Sequence, residues 1–142
     1  NNISFTTISY DVNEEALDAV TVANKIGAEE EQVFKTLVSR GDDGIYVFVI
    51  PGNYELNLKK AAIAANVKRI ELLPLKELTN VTGYVRGGCS PVGMKKVFPT
   101  FIDETAILFD EIYVSAGARG IQMKVNSDDL CKIIDAKYKD LI

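Results

Sequence analysis

The sequence predicts a mixed α/β fold, and three observations carry that expectation. Segments with the alternation or continuous apolarity of strands outnumber those with helical periodicity, the two kinds interleave along the chain, and Gly and Pro turn signals separate them. This pattern points to a curved mixed sheet flanked by helices, in α/β or α+β form, with the strand order left open. At 142 residues the chain fits one domain, and a domain of this size buries roughly 68% of its unfolded surface. No internal repeat, linker or low-complexity stretch divides it.

Residues 3–10 alternate apolar and polar types with β-branched members and predict the first strand. Asn13 can cap a helix with Glu14 and Glu15 in its first turn, Leu17, Val20, Ala23 and Ile26 along one face, and Gly27 as its stop. Residues 33–39 look extended, Gly41-Asp42-Asp43-Gly44 is a turn signal, and residues 45–50 are apolar on both faces. Together they predict a hairpin with a buried second strand, closed by Pro51-Gly52. Asn57 can cap a helix over residues 58–65, whose alanines allow close packing on a sheet. Residues 67–73 resume strand character, and Pro74 suits the first turn of a short helix reaching toward Asn80. A glycine-dense loop follows, then a strand near residues 97–102, an apolar turn around Ile107 and Phe109, a strand over 112–115 and a tight connection over 117–120. Residues 121–125 read as the last strand, and Ser127 with Asp128 and Asp129 opens a terminal helix carrying Leu130, Ile133, Ile134 and Lys137.

The chain contains no histidine. That excludes Ser-His-Asp and Cys-His arrangements, histidine acid–base catalysis and histidine-containing zinc sites. Chemistry must fall to lysine, carboxylates, hydroxyls, backbone amides or the substrate itself. The formal charge of −4 argues against an unaided grip on nucleic acid, which rests on neutralising phosphates, and no DNA partner is expected. Acidic residues crowd the first third (Glu14, Glu15, Asp18, Glu29, Glu30, Glu31), whereas Lys59, Lys60, Lys68, Arg69, Arg86, Lys95 and Lys96 fall in the middle. A local basic face there competes with the plainer reading of a solvated surface of mixed sign. No apolar run approaches the ~20 residues that span a bilayer. Cys89 and Cys131 are too few for a disulfide scaffold, and no secretory signal opens the chain, so a soluble cytoplasmic protein without a membrane partner is expected.

The most informative stretch is residues 83–98, where Gly83, Gly87, Gly88 and Gly93 surround Pro91. Such a backbone is shaped to approach a ligand closely, and its amides can hold an oxyanion or a 3′-terminal nucleotide; a tight crossover between sheet segments is the competing reading. The loop departs from the phosphate-binding P-loop pattern, because Met94 displaces the lysine and Lys96 stands where Ser or Thr would hold magnesium. Cys89 has no histidine to form a thiolate ion pair and reads as packed filler. Ser115 and Arg119 can furnish a hydroxyl and a phosphate-binding guanidinium, or simply a polar turn, and Tyr10 reads first as a half-buried sheet aromatic. Lys35, inside the apolar run 33–38, is either an edge-strand gatekeeper or an ammonium held in a pocket to stabilise an oxyanion or accept a proton. On the residues alone the gatekeeper stands ahead.

The combination of Gln32-Val-Phe-Lys-Thr-Leu37, Leu58-Lys-Lys-Ala61, Thr82-Gly-Tyr-Val-Arg-Gly-Gly-Cys-Ser-Pro-Val-Gly93 and Ile112-Tyr-Val-Ser-Ala-Gly117 resembles the YbaK/EbsC family. Its members are free-standing relatives of the editing domain inserted in bacterial prolyl-tRNA synthetases. The likeness covers nearly the whole chain and implies that residues 1–142 form one editing domain with a barrel-like mixed sheet. Family members usually begin with a short helix before the first strand, whereas this sequence starts almost at Ile3, so a truncated or partly disordered amino terminus is expected.

The resemblance implies an aminoacyl-tRNA deacylase acting in trans proofreading, with cysteine on proline tRNA as its best-known substrate. It implies the acceptor end of that tRNA and prolyl-tRNA synthetase as partners, and neither metal nor cofactor. Carried residue by residue, it makes Lys35 the catalytic lysine, reversing the earlier ranking, and sets Tyr10, Gly87, Gly88 and Ser115 at the substrate, with Ser90 and Gly93 in the same loop. Gln122 stands where aspartate is expected; it keeps hydrogen-bonding capacity but brings no negative charge to amino-group recognition. An aminoacyl ester is already activated, so its hydrolysis needs positioning and oxyanion stabilisation more than a strong base. The family precedent has the substrate's own cysteine thiol attack the carbonyl, a group with a free pKa of about 8.5. Two alternatives stand beside this: a deacylase for another amino acid such as alanine, and a non-catalytic tRNA- or synthetase-binding module.

Overall fold

The computed structural model describes residues 5–9, 30–84, 89–94, 98–117 and 121–142. The expected helix after Asn13 lies outside them, as do Tyr10, Arg86, Gly87, Gly88, Lys95, Lys96 and Arg119. Phe5–Ser9 forms β1, Phe34–Gly41 β2 and Ile45–Pro51 β3. The hairpin expected from the Gly-Asp-Asp-Gly signal is present: the Gly41 N–H donates to the Gly44 carbonyl at 2.7 Å, and β2 and β3 pair antiparallel from Phe34 opposite Pro51 to Arg40 opposite Ile45. Its second strand is buried on both faces, as its continuous apolarity requires, with Val47 to Ile50 entirely inaccessible to solvent.

Asn57 caps α1 (Leu58–Ala65), its side-chain oxygen accepting from the Lys59 and Lys60 amides at 3.1 Å. The strand expected over 67–73 contracts to β4 (Ile70–Leu72), and α2 (Leu75–Thr82) starts after Pro74 and stops at Gly83, whose φ of 86° suits a residue without a Cβ. Thr100–Asp103 is β5, and the apolar turn around Ile107 is a 3₁₀ helix over Glu104–Leu108. Then come β6 (Ile112–Ser115), β7 (Ile121–Val125) and α3 (Ser127–Ile134). Ser127 opens α3 as expected, and the residue before it, Asn126, is the cap, its side chain accepting from the Asp128 and Asp129 amides. Two expectations fail at this end. The chain then turns at Asp135, with φ 53°, so Lys137 leaves the helix and joins an eighth strand, β8 (Lys137–Lys139), which makes β7 not the last.

Two sheets result, with orders β1-β7-β6 and β4-β2-β3-β5-β8. The first is antiparallel throughout; in the second, β3, β5 and β8 run parallel while β2 is antiparallel to β3 and β4. They join where Val33, just before β2, bridges to Tyr113 of β6 in the parallel sense. The mixed, curved character expected is therefore present, but among the described residues no strand pair closes the sheet into a barrel.

Alternation sorts the side chains into two layers. Phe34, Val49 and Ile102 pack with Ile112, Val114, Val125 and Leu130 on one face, and Phe48, Ile50 and Phe101 pack beneath Ala61 and Ala62 of α1 on the other. Small residues at the α1 contact let the helix axis approach the sheet closely, as the alanine content foretold.

A buried carboxylate ties these layers together. Asp103 is fully buried; its Oδ1 accepts the Leu141 amide at 2.9 Å and its Oδ2 accepts the Thr105 amide at 3.1 Å and the Thr105 hydroxyl. The Leu141 carbonyl in turn accepts the Asn57 amide at 2.8 Å, and Lys60 pairs with Asp140 at 3.0 Å. Asp103→Ala strands these donors away from water and should lower unfolding free energy by about 3 kcal/mol, read by urea denaturation, with Asp103→Asn losing less. A loss below about 0.5 kcal/mol would show that solvent reaches them.

Candidate active site

β2 is second from the edge of its sheet, but β4 pairs with it only from Ser39 to Gly41, so Lys35 lies on a stretch with no ladder partner on that side among the described residues, where a charged side chain also fits the gatekeeper reading. Its side chain shares a face with Leu37 and lies opposite Ile50, in the layer that α1 covers. There it is half-buried, and burial lowers its pKa below the usual 10.5 while the negative charge of Glu55 pulls it partly back.

The sheet junction lies close to two of the candidates in the sequence. Val33 and Tyr113 are bridged in the parallel sense, and Lys35 and Ser115 each stand two residues beyond that bridge, on the same sides of their strands as Val33 and Tyr113. Ser115 is directly opposite Gln122 in the β6–β7 ladder, and Gln122 is opposite Ile8 of β1. Directly opposed residues share a face. Gln122 and Ser115 thus form a transverse row across β7 and β6, and Lys35 stands two residues past the bridge that joins β6 to the start of β2. Ser115 and Gln122 are both buried; the Ser115 hydroxyl accepts the Gly117 amide at 3.3 Å, and the Gln122 Oε1 has no hydrogen-bond partner. An unpartnered buried amide oxygen is costly, and a ligand donor would relieve it.

The glycine loop reaches this row through a residue the sequence reasoning passed over. Tyr84 follows α2, its amide donating to the Thr82 hydroxyl at 3.0 Å and its carbonyl accepting the Thr79 hydroxyl at 3.1 Å. Its own hydroxyl donates to the Val92 carbonyl at 2.6 Å. A Cβ on Gly93 would meet the Tyr84 hydroxyl at 2.9 Å, and one on Gly117 would meet its ring at 3.1 Å; both glycines have positive φ, 75° and 106°. Tyr84 is therefore wedged between the loop and the turn that follows Ser115. The only signal in the sequence was its place inside the Thr82–Gly93 motif, with no pattern to pair it with Gly117.

Ser90 is buried with its hydroxyl accepting the Val92 amide at 3.2 Å, so it shapes the loop from within. Cys89 packs with Val38, Leu73 and Leu78, and burial pushes its thiol up to about 11. The structure thus pairs Ser115 with Gln122, places Lys35 just past the bridge between β6 and β2, docks Gly93 by the turn after Ser115 through Tyr84, and sets Ser90 in the loop's interior. Tyr10, Gly87 and Gly88 lie outside the described residues. A hollow of about 370 Å³ between β5, the end of α3 and β8 contains none of the candidate residues.

The family model for the aminoacyl-tRNA editing domain matches residues 13–133, a span that includes the whole row. This chain belongs to the aminoacyl-tRNA editing domain family. EbsC of Enterococcus faecalis (strain ATCC 700802 / V583), provisionally named a Cys-tRNA(Pro)/Cys-tRNA(Cys) deacylase, is 45% identical over 130 residues, covering 91% of this chain and 79% of EbsC. The proline–tRNA ligase of Shouchella clausii (strain KSM-K16) is 30% identical over 106 residues, covering 75% of this chain but only 19% of the ligase. A crystal structure described as that of a candidate trans-editing enzyme for prolyl-tRNA synthetase superposes with a TM-score of 0.86 at 26% identity, over 96% of this editing domain and 85% of that chain.

Lys35 carries a stability cost. Its folded pKa is below its unfolded value, so the unfolded chain holds more protons between the two, and stability rises as pH climbs through that window. Lys35→Met, which keeps the stem and deletes the charge, should raise Tm by about 2 °C at pH 7, a small gain because half the side chain still reaches water. The gain should fade as pH rises through and above 10.5, where the wild-type lysine becomes neutral in both states; scanning calorimetry at pH 7 and about pH 11 reads it, and a lower Tm at pH 7 would mean the ammonium is stabilising.

Proposed function

We propose that this protein hydrolyses mischarged tRNA, with cysteine on proline tRNA as its substrate, and does so in trans to the synthetase. The observation that carries the reading is a half-buried lysine, Lys35, just past the bridge that joins β2 to the strand of Ser115, within a member of the editing-domain family. In this reading the Lys35 ammonium, compact and partly desolvated, faces the ester carbonyl and stabilises the charge that develops on its oxygen. Its lowered pKa makes it a readier proton donor to that oxygen than a solvated lysine. The backbone around Val92 and Gly93, held by Tyr84, supports the terminal nucleotide.

The nucleophile in this reading is the thiol of the substrate. At pH 7 a thiol with a pKa of about 11, such as Cys89, is thiolate in about one molecule in 10⁴, whereas the free value of about 8.5 leaves a few per cent. Cys89 is moreover packed among Val38, Leu73 and Leu78. Proline and alanine offer no thiol, so substrate assistance also supplies the selectivity that pocket size alone gives poorly.

The test is a deacylation screen across Cys-, Ala- and Pro-charged proline tRNA. Hydrolysis of the cysteinyl ester alone is expected, and release of alanine but not cysteine would move the nucleophile to water or the ribose hydroxyl. Lys35→Ala should lower kcat at least about 100-fold, Lys35→Arg should not restore it, and Cys89→Ser should keep most of it. An acyl-enzyme trapped at Cys89 would overturn the scheme.

The net charge of −4 gives this chain little purchase on the body of a tRNA. We therefore propose prolyl-tRNA synthetase as the partner that presents the mischarged tRNA at high effective concentration. The isolated protein should release cysteine from several tRNAs with little discrimination and weaken with added salt, while the synthetase should confer preference for proline tRNA. Strong discrimination without the synthetase would refute this division.

A further inference from the structure

Among the described residues three buried side-chain polar atoms have no hydrogen-bond partner: Thr36 Oγ1, Asn53 Oδ1 and Gln122 Oε1. Thr36 alternates with Lys35 and so faces the opposite layer. The two amide oxygens are acceptors only, each desolvated and lacking a donor. Gln122 stands on β7 opposite Ser115. Asn53 lies in the loop that leaves β3 beside the start of β2.

The path of the chain brings it there. After β3, residues 52–57 climb onto the face that α1 covers, which is the face from which Lys35 projects. The Gly52 amide donates to the Val33 carbonyl at 2.8 Å, pinning the loop against the start of β2. The Tyr54 amide donates to the Pro51 carbonyl at 3.1 Å, closing a β-turn with Gly52 and Asn53 at its centre. Two residues on, Glu55 is exposed, and its charge acts on Lys35.

An aminoacyl ester carries an ammonium group one carbon away from the carbonyl under attack. If Lys35 faces that carbonyl, two cations sit close together in a partly desolvated site, an arrangement that needs an acceptor and a negative charge on the ammonium side. We infer that residues 53–55 form the subsite for the substrate's α-ammonium group, with Asn53 Oδ1 accepting its hydrogen bond and Glu55 balancing its charge. This inference rests on the deacylase reading and assigns specificity-determining roles to Asn53 and Glu55; Gln122, which is neutral, then serves another part of the substrate.

The experiment compares binding of two stable analogues, a 3′-cysteinylamino-3′-deoxyadenosine with a free α-amine and its N-acetyl form, which has neither the charge nor the full donor set. Wild type should bind the free amine about tenfold more tightly, the value of one charge-assisted hydrogen bond. Asn53→Ala and Glu55→Gln should each shrink that ratio several-fold by weakening only the free-amine form, and Asn53→Asp should preserve or enlarge it. Glu55 is exposed, so its variant tests the idea even if Asn53→Ala fails to fold. Equal affinity of wild type for the two analogues, affinity for neither, or variants that weaken both forms alike would overturn the subsite. Because binding needs no turnover, a protein that prefers the free amine yet hydrolyses no charged tRNA would refute the deacylase reading alone.

Discussion

One edge of β2 serves two strands, and the rest of the molecule is arranged around that division. Its other edge is taken along its length by β3, from Phe34 to Arg40. On the divided edge, β6 attaches through Val33, while β4 and the residue after it attach from Val38 to Gly41, through the Leu73 amide and the β2–β4 ladder. Between these attachments residues 34–37 carry no ladder partner on that side among the described residues. Two sheets diverge from one strand, and Lys35 sits where they part.

The divergence explains why opposite faces of the same short stretch have such different fates. Phe34 turns into the wedge between the sheets, touching the layer that holds Val49 and Ile102 from one and Ile112, Val114 and Val125 from the other. Burying that aromatic joins the two sheets and is worth about 2 kcal/mol or more. Its neighbour Lys35 faces the other way, onto a layer that α1 covers only partly. The apolar side of the junction supplies the stability that the polar side surrenders, since a half-buried ammonium and the unpartnered oxygens of Asn53 and Gln122 all cost free energy.

Local elements were readable because local chemistry decides them. The Asp42-Asp43 hairpin, the Asn57 cap and the strand over 112–115 each follow from a turn signal, a capping side chain or a β-branched run, and stand at their expected positions. β8 was missed because three residues with one aromatic carry too little alternation to outweigh the helical pattern before them, and Asp135, not glycine, makes the turn. The site was harder. Lys35 and Ser115 lie far apart in the chain, and the parallel Val33–Tyr113 bridge that joins their strands is a pairing that no periodicity encodes. Family likeness named Lys35 and Ser115 but not Tyr84 or Asn53, whose significance comes from what they touch or fail to touch.

The tail of the described chain bears on the site from a distance. Leu141 is fully buried and bonded on both sides, its amide to Asp103 and its carbonyl to the Asn57 amide, while Asp140 and the Ile142 carbonyl hold Lys60. Asn57 begins α1 and ends the loop that passes Lys35. Residues 140–142 and the loop 52–57 are therefore parts of one cooperative unit, whose amides would exchange with solvent together. Fraying at the tail would release the Asn57 amide, so the subsite proposed for residues 53–55 depends on the order of residues 140–142 as well as on its own.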